Sequence, residues 1–97
     1  MRIDIQMSPT PPFVADFTRE RARVCLGARA SRVESLSLAF TSVAGTTSCR
    51  AVLRTTAGEV QSAEGRDASM FRAIELAVSR VSAQLVPPAS SRFPKAG

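Results

Sequence analysis

The sequence contains no histidine, no tryptophan and no tyrosine. Without histidine no base is available to activate a serine or cysteine nucleophile in a Ser–His or Cys–His arrangement. The commonest nitrogen ligand for a metal is also missing. Carboxylates are sparse: eight are scattered through 97 residues, with no clustering that would hold a cation by oxygen alone. Glycine is low, at five, and the charged stretch "AEGRD" is far from a phosphate-cradling loop. No apolar run approaches the ~20 residues of a membrane-spanning helix. The opening "MRIDIQ" puts an acid where an export signal needs an apolar segment, so no export is expected. Only two cysteines occur, Cys25 and Cys49, 24 positions apart and without metal-type spacing. They read as reduced thiols of a cytoplasmic protein. These gaps leave no expectation of an enzyme, a metal, a cofactor or a small-molecule substrate.

What the chain does have is arginine. Thirteen basic residues against eight acids give a formal charge of +5, and twelve of the thirteen are arginine. The guanidinium fork suits bidentate phosphate contacts. A coding bias towards arginine would produce the same composition, so the charge favours a nucleic-acid partner without establishing one. With 44% hydrophobic residues the chain can build a folded core, and its length suits one domain.

Residues 2 to 7 alternate, with Ile3, Ile5 and Met7 against Arg2, Asp4 and Gln6, which predicts a half-buried strand. "SPTPP" stops it, because proline cannot continue a ladder, and leads into a helix, whose first turn tolerates proline. Residues 13 to 28 read as that helix, with Phe13, Phe17 and Val24 on the core face and Ala28 beside them. Arg21 falls at the edge of this stripe, where its stem can lie along apolar surface with the charge in water. Gly27 is a stop signal. Leu36, Leu38 and Phe40 alternate with Ser35, Ser37 and Ala39 in a second strand over 33–41. "TSVAGTTS" reads as a loop. Residues 49–56 and 59–63 make two further strands joined tightly at Ala57-Gly58.

The stretch "AEGRDASMFRAIELAVSRVSAQL" then opens with a charged turn and becomes helical. Phe71, Ile74, Val78, Val81 and Leu85 recur at spacings of 3, 4, 3 and 4. Asp67 or Ser69 can cap the start, and Pro87-Pro88 ends the helix. The expectation is an α+β domain of order β-α-β-β-β-α over 1–86, with two helices packed on one face of a four-stranded sheet. The first crossover should be right-handed and make the first two strands parallel. A flexible tail is expected over 87–97.

Opposite the apolar stripes, the last helix carries Arg72, Leu76, Ser79, Arg80 and Ala83. The first carries Ala15, Arg19, Ala22, Arg23 and Leu26. Arg29 and Arg32 extend this surface where the first helix ends. A basic helical layer of this kind can meet RNA phosphates. An ordinary solvated face accounts for the same pattern.

The element order and the last helix together resemble the ribosome hibernation promoting factor and ribosome-associated inhibitor family. In that family the helix reads as an acid, then Met-Tyr-Ala-Ala-Ile-Asp, a basic residue near the middle and Gln-Leu at the end. Here Met70-Phe71-Arg72-Ala73-Ile74-Glu75 matches that core, Arg80 takes the basic position and Gln84-Leu85 the ending. Arg32-Val33 resembles the basic-aliphatic step that opens the second strand. Phe71 stands for the usual tyrosine, Ser69 for the acid, and Ala83 for a residue that is often basic. With no second domain after this one, the chain resembles the short form.

The resemblance implies a cytoplasmic translation inhibitor that binds the small ribosomal subunit near the decoding region in resting or stressed cells. It would contact ribosomal RNA through Arg19, Arg23, Arg29, Arg32, Arg72 and Arg80, act as a monomer, and involve no membrane. The alternatives are a non-ribosomal RNA-binding module and a diverged protein-interaction domain of the same fold.

Overall fold

The computed structural model describes residues 1–7 and 10–85. The elements run β1 (Arg2–Gln6), α1 (Pro12–Leu26), a 3-10 segment (Gly27–Arg32), β2 (Val33–Val43), β3 (Thr46–Thr55), β4 (Val60–Asp67) and α2 (Met70–Ala83). The expected order β-α-β-β-β-α is present. The four strands lie side by side in chain order. β1 and β2 are parallel, and the other two pairs are antiparallel. The expected tail over 87–97 lies outside the described residues.

Alternation decides which side of the sheet is covered. Ile3 and Ile5 on β1, Leu36, Leu38 and Phe40 on β2, and Cys49, Ala51 and Leu53 on β3 stand in register on one face. They meet Ile74, Ala77, Val78 and Val81 of α2 and Val14, Ala22 and Leu26 of α1 in one core. α2 lies over β3 and β4, and α1 packs alongside α2. Phe17 touches Phe71, Arg21 reaches Glu75, and Arg29 reaches Ser82 and Leu85, so the two helices run in the same direction. The opposite face of the sheet is covered by no element among the described residues.

Several elements differ from expectation. α1 turns a different face to the core. Its buried residues are Val14, Thr18, Ala22 and Leu26, whereas Phe13 and Val24 are 57% and 55% exposed. Ala22 and Leu26, expected on the outer side, are buried. The stripe of large residues does not meet the sheet because Phe13 and Phe17 instead gather around Phe71 of α2. Ring centroids lie 5.7 and 4.9 Å from that of Phe71, the second pair edge-on. Phe71 is accordingly 36% exposed, a roof over the junction of the two helices and not a core side chain. The helix begins as expected, with Pro12 at its first position.

"TSVAGTTS" is a tight hairpin and not a loop. β2 and β3 continue to a two-residue turn at Ala44 and Gly45, both with positive φ. This is the mirror-type turn whose twist matches a hairpin. At the next connection the Gly58 amide donates to the Thr55 carbonyl and the Thr55 amide to the Glu59 carbonyl. Three residues therefore lie between the paired positions, one more than expected, with Gly58 at φ 94°. "AEGRD" also proves to be strand, since β4 runs through to Asp67. Gly65 serves close approach, because α2 lies directly on it. A Cβ there would sit 2.5 Å from the Ala73 carbonyl oxygen and 2.6 Å from the Ala77 amide. Ser69 caps α2: its Oγ accepts from the Arg72 amide, and Asp67 in turn accepts from the Ser69 amide.

Candidate nucleic-acid interface

The outward arginines of the helical layer are each paired on their own helix. Arg19 lies 3.3 Å from Asp16, Arg23 2.6 Å from Glu20, and Arg72 2.9 Å from Glu75, all one turn apart. The hydrogen bond from Arg23, followed by its charge, holds the Glu20 carboxyl below its usual value and raises the Arg23 guanidinium. Glu75 also takes Arg21 at 3.0 Å, and this half-buried pair bridges α1 to α2. The stem of Arg21 thus lies at the helix–helix seam, as its position at the stripe's edge predicts. Water and salt screen exposed pairs of this kind, so each contributes little to stability. The guanidinium groups of Arg19, Arg23 and Arg72 are therefore cheaply released to a phosphate.

The other three expected site residues have different surroundings. Arg80 leans over the rim of the sheet and donates to the Glu64 carbonyl at 2.8 Å. One turn on, Gln84 donates to the Ser62 carbonyl at the same distance. Arg29 is half-buried and donates to four backbone carbonyls: Leu26 and Cys25 at the end of α1, Ser82 and Leu85 at the end of α2. Helices leave carbonyls short of partners at their C-terminal ends, and this one cation bridges the ends of both. Arg32 is half-buried, and its own carbonyl accepts from the Thr56 amide. The structure thus leaves Arg19 and Arg23 exposed on α1 and Arg72 exposed on α2, puts Arg80 at the sheet rim, and locks Arg29 into the fold.

Reading outward from the helices misses the open face of the sheet. Arg2, Arg50, Arg54 and Arg66 project there. Arg2 pairs with Asp4 at 3.1 Å and Arg66 with Glu64 at 3.6 Å. Ser48 donates to Glu64 at 2.6 Å, and that hydrogen bond, ahead of the Arg66 charge, lowers the carboxyl's pKa. Arg50 stands opposite Glu64 in register, and its charge adds a smaller lowering of the same carboxyl without a hydrogen bond between them. The signal was present in "CRAVLRT", where the arginines alternate with the buried Cys49, Ala51 and Leu53. Beside this row, Thr41, Val43, Thr46, Ser48, Glu64 and Arg66 bound an open cleft of about 500 Å³.

Among the described residues no group of three or more His, Cys, Asp or Glu side chains is placed to hold a metal. Both thiols are free, and burial pushes the Cys49 thiol up to about 12, which keeps it protonated. No helix among them is long and apolar enough to cross a membrane.

The fold has counterparts among solved structures. The chain is similar to a ribosomal subunit interface protein from Coxiella burnetii with a TM-score of 0.74 and 16% identity, covering 88% of this chain and 93% of that one. It is similar to the N-terminal domain of Protein Y from Thermus thermophilus with a TM-score of 0.70 and 17% identity, covering 88% of this chain and 96% of the other. At such identities the shared property is the fold, and both neighbours agree with the resemblance carried by the last helix. No protein-family model matches the chain. No curated protein matches it.

Proposed function

We propose that this protein is a ribosome-associated factor that binds the small subunit near the decoding region and inhibits translation by occupying it. The observation that carries this reading is the fold. An arginine-rich α+β domain aligns over nearly its whole described length with a ribosomal subunit interface protein. The motif around Met70–Glu75 with Arg80 points to the same family. Binding alone performs the task, so no nucleophile, metal or cofactor is needed.

Arg19, Arg23 and Arg72 contact phosphates of ribosomal RNA after exchanging their carboxylate partners for them. Arg80 contributes at the rim, while Arg29 and Arg32 border the contact, Arg29 by holding the two helix ends together. The protein works in the cytoplasm as a monomer.

Sedimentation of purified protein with isolated small subunits tests the reading. Co-migration that is displaced by tRNA is expected, with a slope of log affinity against log salt of roughly −3 to −5 for four or five neutralised phosphates. Protein that stays at the top of the gradient at low salt refutes it. Binding to small subunits that tRNA leaves untouched moves the site away from the decoding region.

A further inference from the structure

Among the described residues, Arg50 and Arg54 are the arginines with neither a hydrogen bond nor an ion pair; every other one is engaged. Both are exposed, on one face of β3, four residues apart. At about 3.3 Å per residue their Cα atoms are separated by roughly 13 Å. Between them lies Val52. Across the strands Arg50 faces Ala39 of β2 and Glu64 of β4, Val52 faces Ser37 and Ser62, and Arg54 faces Ser35 and Val60. Two exposed guanidinium groups thus stand without a hydrogen bond or ion pair, with the short side chains of Ser37 and Ser62 between them.

We infer that the open face of the sheet, centred on Arg50 and Arg54, is a second RNA-binding surface that takes the sugar–phosphate backbone of structured RNA. The inference rests on the proposed ribosomal function for its biological setting but concerns a different surface. Unpaired guanidinium groups fit phosphate oxygens, and serine hydroxyls can donate to or accept from ribose 2′-hydroxyls. Sheets that bind single strands stack bases on exposed aromatic rings. The described aromatic residues all lie elsewhere: Phe13, Phe17 and Phe71 in the helices, and Phe40 turned to the core. A protein interface centred on two lone arginines would lack the aromatic and apolar core such interfaces have. The chemistry left is a backbone contact, indifferent to base sequence. With Arg19, Arg23 and Arg72 on the opposite side, the domain would sit between two RNA segments, sheet against one and helices against the other.

The test compares wild type with Arg50→Ala/Arg54→Ala and with Arg19→Ala/Arg23→Ala/Arg72→Ala. Each is titrated by fluorescence anisotropy against a ~16-base-pair RNA duplex and against oligouridine, and by sedimentation against small subunits, from 50 to 200 mM salt. Thermal unfolding confirms that the variants fold. Loss of two phosphate contacts should reduce the salt slope by about 1.4–1.8. The wild-type advantage over the sheet variant should then shrink about tenfold across that range. Arg50→Lys/Arg54→Lys should keep most of the slope. Duplex should be preferred to oligouridine.

Wild-type affinity and slope in the sheet variant overturn the inference; if the helical variant has meanwhile lost subunit binding, the proposed function stands without it. Duplex binding that depends on Arg50 and Arg54, in a protein that ignores small subunits, sinks the proposed function and keeps the sheet surface. A sheet variant that loses subunit binding with an unchanged salt slope and no duplex affinity to lose marks a protein contact, and overturns the inference.

Discussion

Gly65→Ala adds one methyl group to β4 at the place where α2 rests on it. The new Cβ would lie 2.5 Å from the Ala73 carbonyl oxygen, 2.6 Å from the Ala77 amide nitrogen and 2.7 Å from the Leu76 Cβ. The first two are helix backbone, which no rotamer change can remove. Restoring the 3.4 Å of ordinary contact requires α2 to retreat by roughly 1 Å, a gap that forfeits a quarter to a half of the dispersion well along the interface. Ala73, Ala77, Val78 and Val81 all lie in that interface. Overpacking of this kind costs about 1–3 kcal/mol, and an obstacle made of backbone puts the effect at the upper end. For a domain of this size about 3 kcal/mol lowers Tm by roughly 12–24 °C. Gly45→Ala is the control. Its Cβ would meet nothing within 4 Å, but the residue sits at φ +78°, so it carries only the strain of the left-handed region, about 1–2 kcal/mol. Thermal unfolding by circular dichroism reads both. A Gly65→Ala protein that melts within a few degrees of wild type, or no lower than Gly45→Ala, refutes direct seating of α2 on the strand.

Arg29→Met keeps the aliphatic stem and removes the donors to four carbonyls; urea unfolding should show a loss of about 2–3 kcal/mol, recovered only partly by Arg29→Lys, which lacks the fork to reach both helix ends. Thr18 is buried with its hydroxyl unpartnered, so Thr18→Val should raise stability by about 1 kcal/mol, and a lower urea midpoint would show a hidden partner for that oxygen. Burial raises the Cys49 thiol from its ordinary value of 9.0 to about 12, so the folded state holds this proton more tightly than the unfolded chain. Its contribution is present in full below pH 9 and is lost as pH rises from there towards 12. Cys49→Ala should therefore show a shallower fall in stability than wild type between pH 9 and 10.5, by about 1–2 kcal/mol, and parallel curves would contradict the burial of this thiol.

The strands and α2 were legible because their signal is periodic and local. Leu36, Leu38 and Phe40 take alternate positions, and Ile74, Val78, Val81 and Leu85 recur on one helical face. α1 misled because its largest side chains, Phe13, Phe17 and Val24, are not its deepest. Close packing of parallel helices on a sheet favours small residues, and Thr18 and Ala22 carry little weight in a hydrophobic count. "AEGRD" resembled a turn because glycine and charge usually mark one; only the helix above β4 reveals that Gly65 is needed for space. At the site, exposure of Arg19, Arg23 and Arg72 follows from periodicity. The role of Arg29 does not, because its α2 partners lie 53 and 56 residues away. Arg50 and Arg54 were readable in the β3 alternation, but which acids stand near them, Glu64 opposite Arg50 and none opposite Arg54, depends on the strand register.

Arg80 and Gln84, by donating to the Glu64 and Ser62 carbonyls, occupy acceptors along the free margin of β4, where an incoming strand would have to bond. A strand approaching that margin would first have to displace both side chains, so the β4 edge is guarded against edge-to-edge pairing with another chain.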